Sequence, residues 1–274
     1  MTATTKAPAR TAFSLGKASW SAVVREFKYH LFRYRRTWRG TVVISVVNPL
    51  LFLLAIGLGL GRVVSDHAAS LHGTPYLAFF APGMLAAAAM QNGIVESAFP
   101  VSRATAPGGS YAVAITTPLA STDIMLGHVM FMALRIAMSA TAFVVIMAAL
   151  GAAKSPWVLM DIPAATLTGL AFAVPTTAWA AAVANPQTVS KLFKWVVMPL
   201  YLFSGTFFPV GQLPLVLRVL AYVTPLWHGV QLCRSLSLGT ASPAAALGHA
   251  AYLVGLCLVG IFLARRTYRR RLYV

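Results

Sequence analysis

Charge is scarce in this sequence: charged residues make up 10% of its 274 positions, and only five of them are acidic. Hydrophobic residues make up 58%. Soluble domains are roughly 25% charged, so most of this chain requires an apolar solvent. The acidic residues are scattered over different loops and helix ends, and no pair of carboxylates is placed for acid–base catalysis. The sequence therefore indicates an integral membrane protein that is not an enzyme.

Other patterns that carry chemistry are missing as well. The two cysteines, Cys233 and Cys257, sit in or near apolar runs and provide no disulfide framework. The six histidines show no metal-ligand spacing, so no metal site is expected. The P-loop pattern GxxxxGK[ST] does not occur, and this chain is therefore not expected to bind ATP through such a loop.

Long uncharged runs remain, and their positions predict the membrane spans. A helix needs about 20 residues to cross a hydrocarbon core of ~30 Å. The Asn-Pro turn signal in ANPQTVSK, residues 184–191, marks the end of the fourth run. The expected fold class is all-α, a polytopic membrane protein with six spans. These spans are expected near residues 41–61, 75–97, 124–150, 163–183, 192–208 and 243–263.

Basic residues predict the orientation of the spans, because short loops rich in Lys and Arg stay in the cytoplasm. The first forty residues and the tail RRTYRRR, residues 265–271, are both strongly basic, so both ends are expected in the cytoplasm. Six spans place 17 of the 22 Lys and Arg residues inside and four outside, with Arg135 within the third span. Insertion and anionic lipid explain the net charge of +17, and no nucleic-acid partner is expected.

The domain organisation follows from the same pattern. Residues 1–18 are expected to form a disordered cytoplasmic tail. Apolar residues recur at helical spacing between bases in residues 19–39, which predicts an amphipathic helix at the inner membrane interface. This helix either anchors the chain to anionic lipid or contacts a partner subunit. Residues 40–264 form the transmembrane domain, and residues 265–274 a basic cytoplasmic tail.

The proline-rich segment, residues 207–239, is apolar but contains Arg218 and Arg234. A seventh crossing here would turn the basic tail outward. We therefore expect two short re-entrant helices that enter from the outer face and return, packed among the spans. The alternative is an amphipathic segment on the outer surface. In the re-entrant arrangement both arginines should point toward the outer interface or a wet cavity.

Several stretches together carry a resemblance to a known family. They are NPLLFLLAIGLGLG (48–61), YLAFFAPGMLAAAAMQNGIVESAF (76–99), TPLASTDIMLGHVM (117–130), and FSGTFFPVGQLP followed by PLWHGVQLCRSLSLG within 203–239. The chain resembles the permease subunit of type-2 ABC exporters, and most of all the branch with the rhizobial nodulation-factor (lipo-oligosaccharide) exporter and actinobacterial drug exporters. The resemblance implies a six-span subunit that pairs with a second copy, or a related permease, and with two copies of a separate ATPase.

The resemblance also implies a coupling helix between spans two and three, within the coupling segment, residues 101–121. Relatives often have acidic residues here, whereas this chain has PGGSY at 107–111, so charge-based docking is not expected to transfer. A plain loop is the alternative. The short apolar and aromatic side chains of this segment should supply the buried contact with the ATPase. The candidate coupling residues are Arg103, Tyr111, Val113, Ile115 and Pro118.

Aromatic residues near the outer ends of spans two and five are candidates for the translocation path. Ring faces suit both sugars and acyl chains, although an aromatic belt at the membrane interface is the alternative. The candidates are Tyr76, Phe80, Phe203, Phe207 and Phe208.

The proline-rich segment is expected to close the outer end of this path, with Pro209, Pro225 and His228 as the candidate gate. His228 either contacts substrate or is a hydrogen-bonded packing residue. Glu96 and Arg135 are ionisable groups at membrane depth, which favours a functional role by default. The alternative is that they pair with each other or extend to an interface.

The expected function is that of a permease in the plasma membrane of a bacterium. It would export a lipid, a glycolipid or an amphiphilic drug, driven by ATP and Mg that the partner ATPase binds, with no cofactor in this chain. A scaffold or sensor that binds such an ATPase without transport is the alternative. A proton-coupled carrier is a third possibility, which would predict an inverted repeat and mid-membrane charge that the sequence does not show.

Overall fold

The computed structural model describes residues 19–55, 75–183, 188, 191 and 193–273, and at 41–46, 48, 49 and 193 it describes the backbone alone. Every regular element in this part of the chain is a helix. The predicted all-α class is confirmed. The tail predicted at residues 1–18 lies outside the described residues.

The helices of the described part are numbered in chain order. Short 3-10 turns at Pro156–Met160 and Val210–Gln212 and a π-helical turn at Phe193–Val197 join some of them. The α-helices are α1 (Trp20–Phe52), α2 (Tyr76–Ala104), α3 (Ser110–Ala114), α4 (Ser121–Ala149), α5 (Asp161–Val183), α6 (Met198–Phe203), α7 (Leu215–Val223), α8 (Pro225–Leu238) and α9 (Pro243–Leu272).

Among the described residues, four helical stretches are long and apolar enough to cross a membrane: α2, α4, α9, and α5 together with the 3-10 turn before it. In chain order, α2, α4, α5 and α9 correspond to the second, third, fourth and sixth predicted spans. The first predicted span continues past residue 55 into residues outside the described ones. The fifth corresponds to a shorter apolar helix, Lys194–Phe203. The count of six spans stays a prediction.

Helix α1 is continuous through Gly40, where the sequence suggested a boundary between an interfacial helix and the first span. A single glycine costs a helix only about 1 kcal/mol and does not by itself end it. The helix packs along α4. The packing is close, since a Cβ on Gly127 would lie 2.6 Å from the Cβ of Glu26. At its start, the Ser19 backbone N–H donates to Asp123 Oδ1 at 3.0 Å.

Helix α5 lies at the centre of the fold, in contact with α2, α4, α8 and α9. Small residues allow these close crossings, as they do between helices in membranes generally. A Cβ on Gly169 of α5 would lie 2.7 Å from the Ala89 carbonyl oxygen of α2, and a Cβ on Gly93 would collide with the Gly169 carbonyl. The two backbones therefore touch where these glycines meet.

The fifth predicted span ends early, at Phe203 rather than at residue 208. Ser204 follows as the C-cap, and Gly205 has φ 80°, a left-handed conformation that favours glycine. Pro209 then caps the 3-10 turn at Val210–Gln212. The chain therefore bends here and leads into the proline-rich segment.

The proline-rich segment forms two short helices, α7 and α8, as the sequence predicts, but they differ in packing. Helix α8 packs against α2, α5 and α9. Helix α7 leaves large apolar side chains exposed, among them Leu215 and Val216. The α8 half is thus packed among the long helices, and the α7 half leaves an apolar surface open. Re-entry of this segment into the membrane stays a prediction.

Candidate functional site

The coupling segment contains a short helix, α3, held by a tight turn. Helix α2 ends at Ala104, and Gly108 takes φ 75° in the turn that follows. A Cβ on Gly109 would collide with the carbonyl oxygens of Arg103 and Ala104. The two glycines therefore allow α3 to fold back against the end of α2. The segment contains a short helix, and its coupling role stays a prediction.

Tyr111 points into the protein, which corrects the expectation that it contacts an ATPase. Its side chain is 1% exposed. Its hydroxyl lies 2.7 Å from Nδ1 of His128 on α4, and its ring centroid lies 5.6 Å from that of Tyr268 on α9. Burial raises the pKa of Tyr111 well above its ordinary value, so the hydroxyl keeps its proton. Tyr111 connects α3 to two long helices.

Other residues of the coupling segment do face outward. Val113 is 64% exposed, and Arg103 and Pro118 are also exposed. Ile115 is half-buried against the cluster that contains Tyr111. The short helix thus has an inner side fixed by its tyrosine and an outer side that remains open.

Glu96 and Arg135 pair with each other across α2 and α4. The Arg135 Nη2 donates to Glu96 Oε1 at 2.7 Å, and its Nε donates to the same oxygen at 3.2 Å. The guanidinium carbon also lies 4.4 Å from the centroid of the Tyr34 ring on α1. The two residues thus pair with each other, which was one of the two alternatives, and the pair contacts a third helix through Tyr34.

A histidine stack lies beside this pair and the coupling helix. The rings of His30 and His128 are stacked at 4.4 Å, and Phe131 lies 5.3 Å from His30. His30 Nε2 is 3.2 Å from a carboxylate oxygen of Glu26, at ion-pair distance but without hydrogen-bond alignment. Ring stacking thus connects α1 to α4, and the contact between His128 and Tyr111 connects α4 to α3.

Three of the five predicted path aromatics come together in the aromatic cluster, which consists of Tyr76, Phe80, Tyr201 and Phe207. The Tyr76 hydroxyl donates to the Phe207 carbonyl at 3.2 Å, and the Phe80 and Phe207 rings lie 5.6 Å apart. Phe80 is 0% exposed. In this conformation the cluster packs α2 against the bend after α6 instead of lining an open surface.

The other two predicted path residues lie apart from that cluster. Phe203 is 39% exposed at the end of α6. Phe208 packs with a small separate group of apolar residues that includes Val210 and Leu213. The structure therefore does not bring the five predicted path residues into one site.

Arg234 was expected to point toward the outer interface or a wet cavity, but it is 8% exposed and packed inside the protein. Its Nε donates to the Phe79 carbonyl at 3.1 Å and its Nη2 to the Gly205 carbonyl at 2.8 Å. Its guanidinium carbon lies 3.7 Å from the centroid of the Phe79 ring. Arg234 thus fixes α8 to α2 and to the bend. The sequence did not predict this buried position, because the partners of Arg234 are backbone carbonyls, and no pattern of side chains indicates them.

Arg218, on α7, bonds locally instead. It donates to the carbonyl of Gly211, and its Nη2 is 3.1 Å from the carbonyl of Leu213. These contacts close the turn just before its own helix. They place it on the exposed half of the proline-rich segment.

The predicted gate residues have packing and capping roles in the described structure. Pro209 caps the 3-10 turn, and Pro225 is at the first position of α8. His228 Nδ1 lies 2.9 Å from Nδ1 of His249 on α9, and its ring stacks on Tyr252 at 3.9 Å. His228 is thus a hydrogen-bonded packing residue in this conformation.

Comparison with known proteins gives this architecture a family. Residues 18–238 match the family described as ABC-2 type transporter. The chain is 30% identical over 261 residues to nodulation protein J of Sinorhizobium fredii. The aligned region covers 93% of the chain and 94% of the relative. The chain is 29% identical over 263 residues to nodulation protein J of Rhizobium leguminosarum bv. trifolii, covering 96% and 97%. The chain belongs to the ABC-2 type transporter family.

Proposed function

We propose that this chain is the membrane-spanning subunit of an ATP-driven exporter that moves a lipid, a glycolipid or an amphiphilic drug out of a bacterial cell. Membership of a transporter family supports the permease role. The observation that carries the coupling to ATP is the short helix α3, which has an open outer side and an inner side locked to the long helices by Tyr111. In the complete transporter two permease copies and two ATPase subunits form the complex, and the ATPase binds ATP and Mg.

Force would reach the spans through Tyr111 in this proposal. An ATPase that contacts Val113 and Pro118 would displace α3. Because Tyr111 contacts His128 on α4 and Tyr268 on α9, the two long helices must respond to that displacement. The buried tyrosine is therefore a transmission element, and the ATPase contact falls to its exposed neighbours.

The substrate class is proposed from the resemblance and from the names of relatives. The relatives named nodulation protein J match over nearly the whole chain. The resemblance to lipo-oligosaccharide exporters favours a substrate with both an acyl and a sugar portion. Aromatic side chains at the bend after α6 are of a kind that packs against either portion.

The orientation proposed for the chain is testable by labelling. Both termini are expected in the cytoplasm, with positions 211 and 239 reached from outside. Single cysteines replace Gly211, Gly239 or Arg270 in a chain whose Cys233 and Cys257 have been changed to alanine, and intact cells receive an impermeant thiol reagent. We expect labelling at 211 and 239 but not at 270. Labelling of 270 in sealed cells contradicts the six-span orientation.

The transport function is tested with the chain and its ATPase reconstituted in liposomes. We expect ATP-dependent movement of a fluorescent lipo-oligosaccharide, and loss of it in Val113→Asp, which places a charge on the open side of α3. The control is Arg36→Gln, an exposed position on α1 outside the coupling segment. An ATPase that binds and hydrolyses ATP without any transport would identify the chain as a scaffold or sensor.

The proline-rich segment is proposed as the outer gate, with α7 as the part that moves, since α8 is fixed by Arg234. The hydroxyl oxygens of Ser204 and Thr224 are 3.2 Å apart, which suits replacement of both by cysteines that form a disulfide. This bond would lock the segment to the end of α6. We expect the oxidised protein to stop exporting, to keep its ATP hydrolysis, and to recover on reduction. Undiminished export in the oxidised state rejects the gate.

A further inference from the structure

A polar cavity of about 170 Å³ lies where α1, α2, α3 and α4 meet. A water molecule takes about 30 Å³ of liquid, so roughly six would fill it, and a group the size of a phosphate fits as well. Its wall is polar to an extent unusual for a chain that is 58% hydrophobic. The polar wall residues include His30, Arg33, Tyr34, Glu96, Ser110 and Arg135.

Positive charge is in excess in this wall. The carboxylate of Glu96 is already bonded to Arg135. Arg33 forms no ion pair within the described part of the chain; its guanidinium carbon lies 5.9 Å from the Tyr29 ring centroid. A cavity with an uncompensated guanidinium attracts an anion.

Tyr34 is a second, independent sign of a missing partner. Its hydroxyl is buried and has no hydrogen-bond partner among the residues that the structure describes. A buried donor without an acceptor is costly, and most such groups in folded proteins are paired. Its ring is held beside the guanidinium of Arg135 at 4.4 Å. An acceptor oxygen that enters the cavity would pair with it.

We propose that this cavity binds a phosphate-type oxyanion, carried by the head group of an anionic lipid or present as free phosphate. Arg33 and the Tyr34 hydroxyl bind it, and the Glu96–Arg135 pair forms the adjoining wall. The proposal rests on the proposed function in one respect, since it takes this end of the helices to face the cytoplasmic leaflet. Because Ser110 and Tyr111 of α3 also line the cavity, a bound anion bridges α1 and the coupling helix.

Binding is measured on the purified full-length chain in detergent, without the ATPase and without transport, so a failed transporter assignment would not affect the result. Short-chain phosphatidylglycerol, short-chain phosphatidylcholine and inorganic phosphate are titrated separately and the bound adducts counted by native mass spectrometry. Arg33→Gln is compared with Arg36→Gln, because both arginines are exposed on α1 but only Arg33 lines the cavity. Tyr34→Phe removes the hydroxyl and keeps the ring.

We expect phosphatidylglycerol to bind the unaltered chain and Arg36→Gln equally, with phosphatidylcholine failing to compete. Arg33→Gln should weaken binding about tenfold or more and Tyr34→Phe severalfold, the loss expected for one hydrogen bond. Inorganic phosphate that binds as tightly as the lipid identifies the free anion as the ligand of the same site. If Arg33→Gln and Arg36→Gln weaken lipid binding equally, the lipid is attracted to the basic surface in general. If Arg33→Gln and Tyr34→Phe both leave lipid binding unchanged, the lipid binds outside the cavity. Either result overturns the proposal.

Discussion

Replacing Arg234 by methionine tests whether a buried arginine holds the proline-rich segment in place. Methionine has a similar length and apolar stem but no donors. The change removes the hydrogen bonds to the Phe79 and Gly205 carbonyls, at 3.1 and 2.8 Å, and the contact with the Phe79 ring at 3.7 Å. The carbonyl of Gly205 would be left at the bend without this donor.

The expected loss of stability follows from opposing contributions. Hydrogen bonds from a charged donor contribute about 1.5–3 kcal/mol each, and a buried cation–π contact up to about 2 kcal/mol. Burial of a guanidinium costs several kcal/mol, and no carboxylate in the described part of the chain is at ion-pair distance from Arg234 to offset it. We therefore expect a net destabilisation of about 2–3 kcal/mol.

The assay is thermal unfolding of the purified protein in detergent, monitored with a thiol-reactive dye that reports exposure of the buried Cys233. At about 2–4 °C per kcal/mol, Arg234→Met should lower the Tm by roughly 5–10 °C. The Tm of Arg234→Lys should lie between those of Arg234→Met and the unaltered protein, because an ammonium group lacks the planar set of donors that a guanidinium offers to two carbonyls. Arg218→Met is the matched control: its bonds are local and partly exposed, so the Tm should change little. If Arg234→Met is as stable as the unaltered protein, the cost of burying the guanidinium equals or exceeds the stabilisation from its hydrogen bonds and ring contact. The reasoning would then be wrong.

Three further predictions concern the helix contacts. A double-mutant cycle with Glu96→Gln and Arg135→Met, measured by thermal unfolding, should give a coupling of about 1–3 kcal/mol; additive losses would show that the pair is not a stabilising contact. Gly169→Val should destabilise by at least about 1–3 kcal/mol from overpacking, since even a Cβ would lie 2.7 Å from a carbonyl oxygen; a near-normal Tm would contradict the close crossing. Tyr111→Phe should reduce substrate-stimulated ATP hydrolysis while the ATPase still co-purifies, whereas lost co-purification would restore Tyr111 to the ATPase interface.

Much of the helix pattern could be predicted from the sequence because the cause is local. An apolar run of about 20 residues with few charges is long enough to cross a membrane, and four such runs correspond to helices among the described residues. In the proline-rich segment, the prolines and glycines mark breaks for reasons of backbone geometry. The two short helices of the proline-rich segment were therefore predictable, as was a helix in the coupling segment from the family resemblance.

The directions of side chains could not be predicted in the same way. In a soluble protein an apolar stripe indicates the buried face, but in a membrane lipid and protein interior are both apolar, so hydrophobicity does not separate them. Phe80, which is buried, and Phe203, which is 39% exposed, have the same residue type and opposite surroundings. Helix α3 has only five residues, too few for periodicity to show that Tyr111 faces inward.

The sequence by itself determined that most of this chain lies in an apolar environment, that it is helical, and where some of its helices break, since composition, charge and backbone geometry act over a few neighbouring residues. Tertiary structure alone decided that Tyr111 connects the coupling helix to α4 and α9, and that Arg234 lies buried against carbonyls of Phe79 and Gly205. These contacts join residues 17 to 157 positions apart along the chain. They exist only because close helix crossings, such as the one at Gly93 and Gly169, bring the distant backbones together.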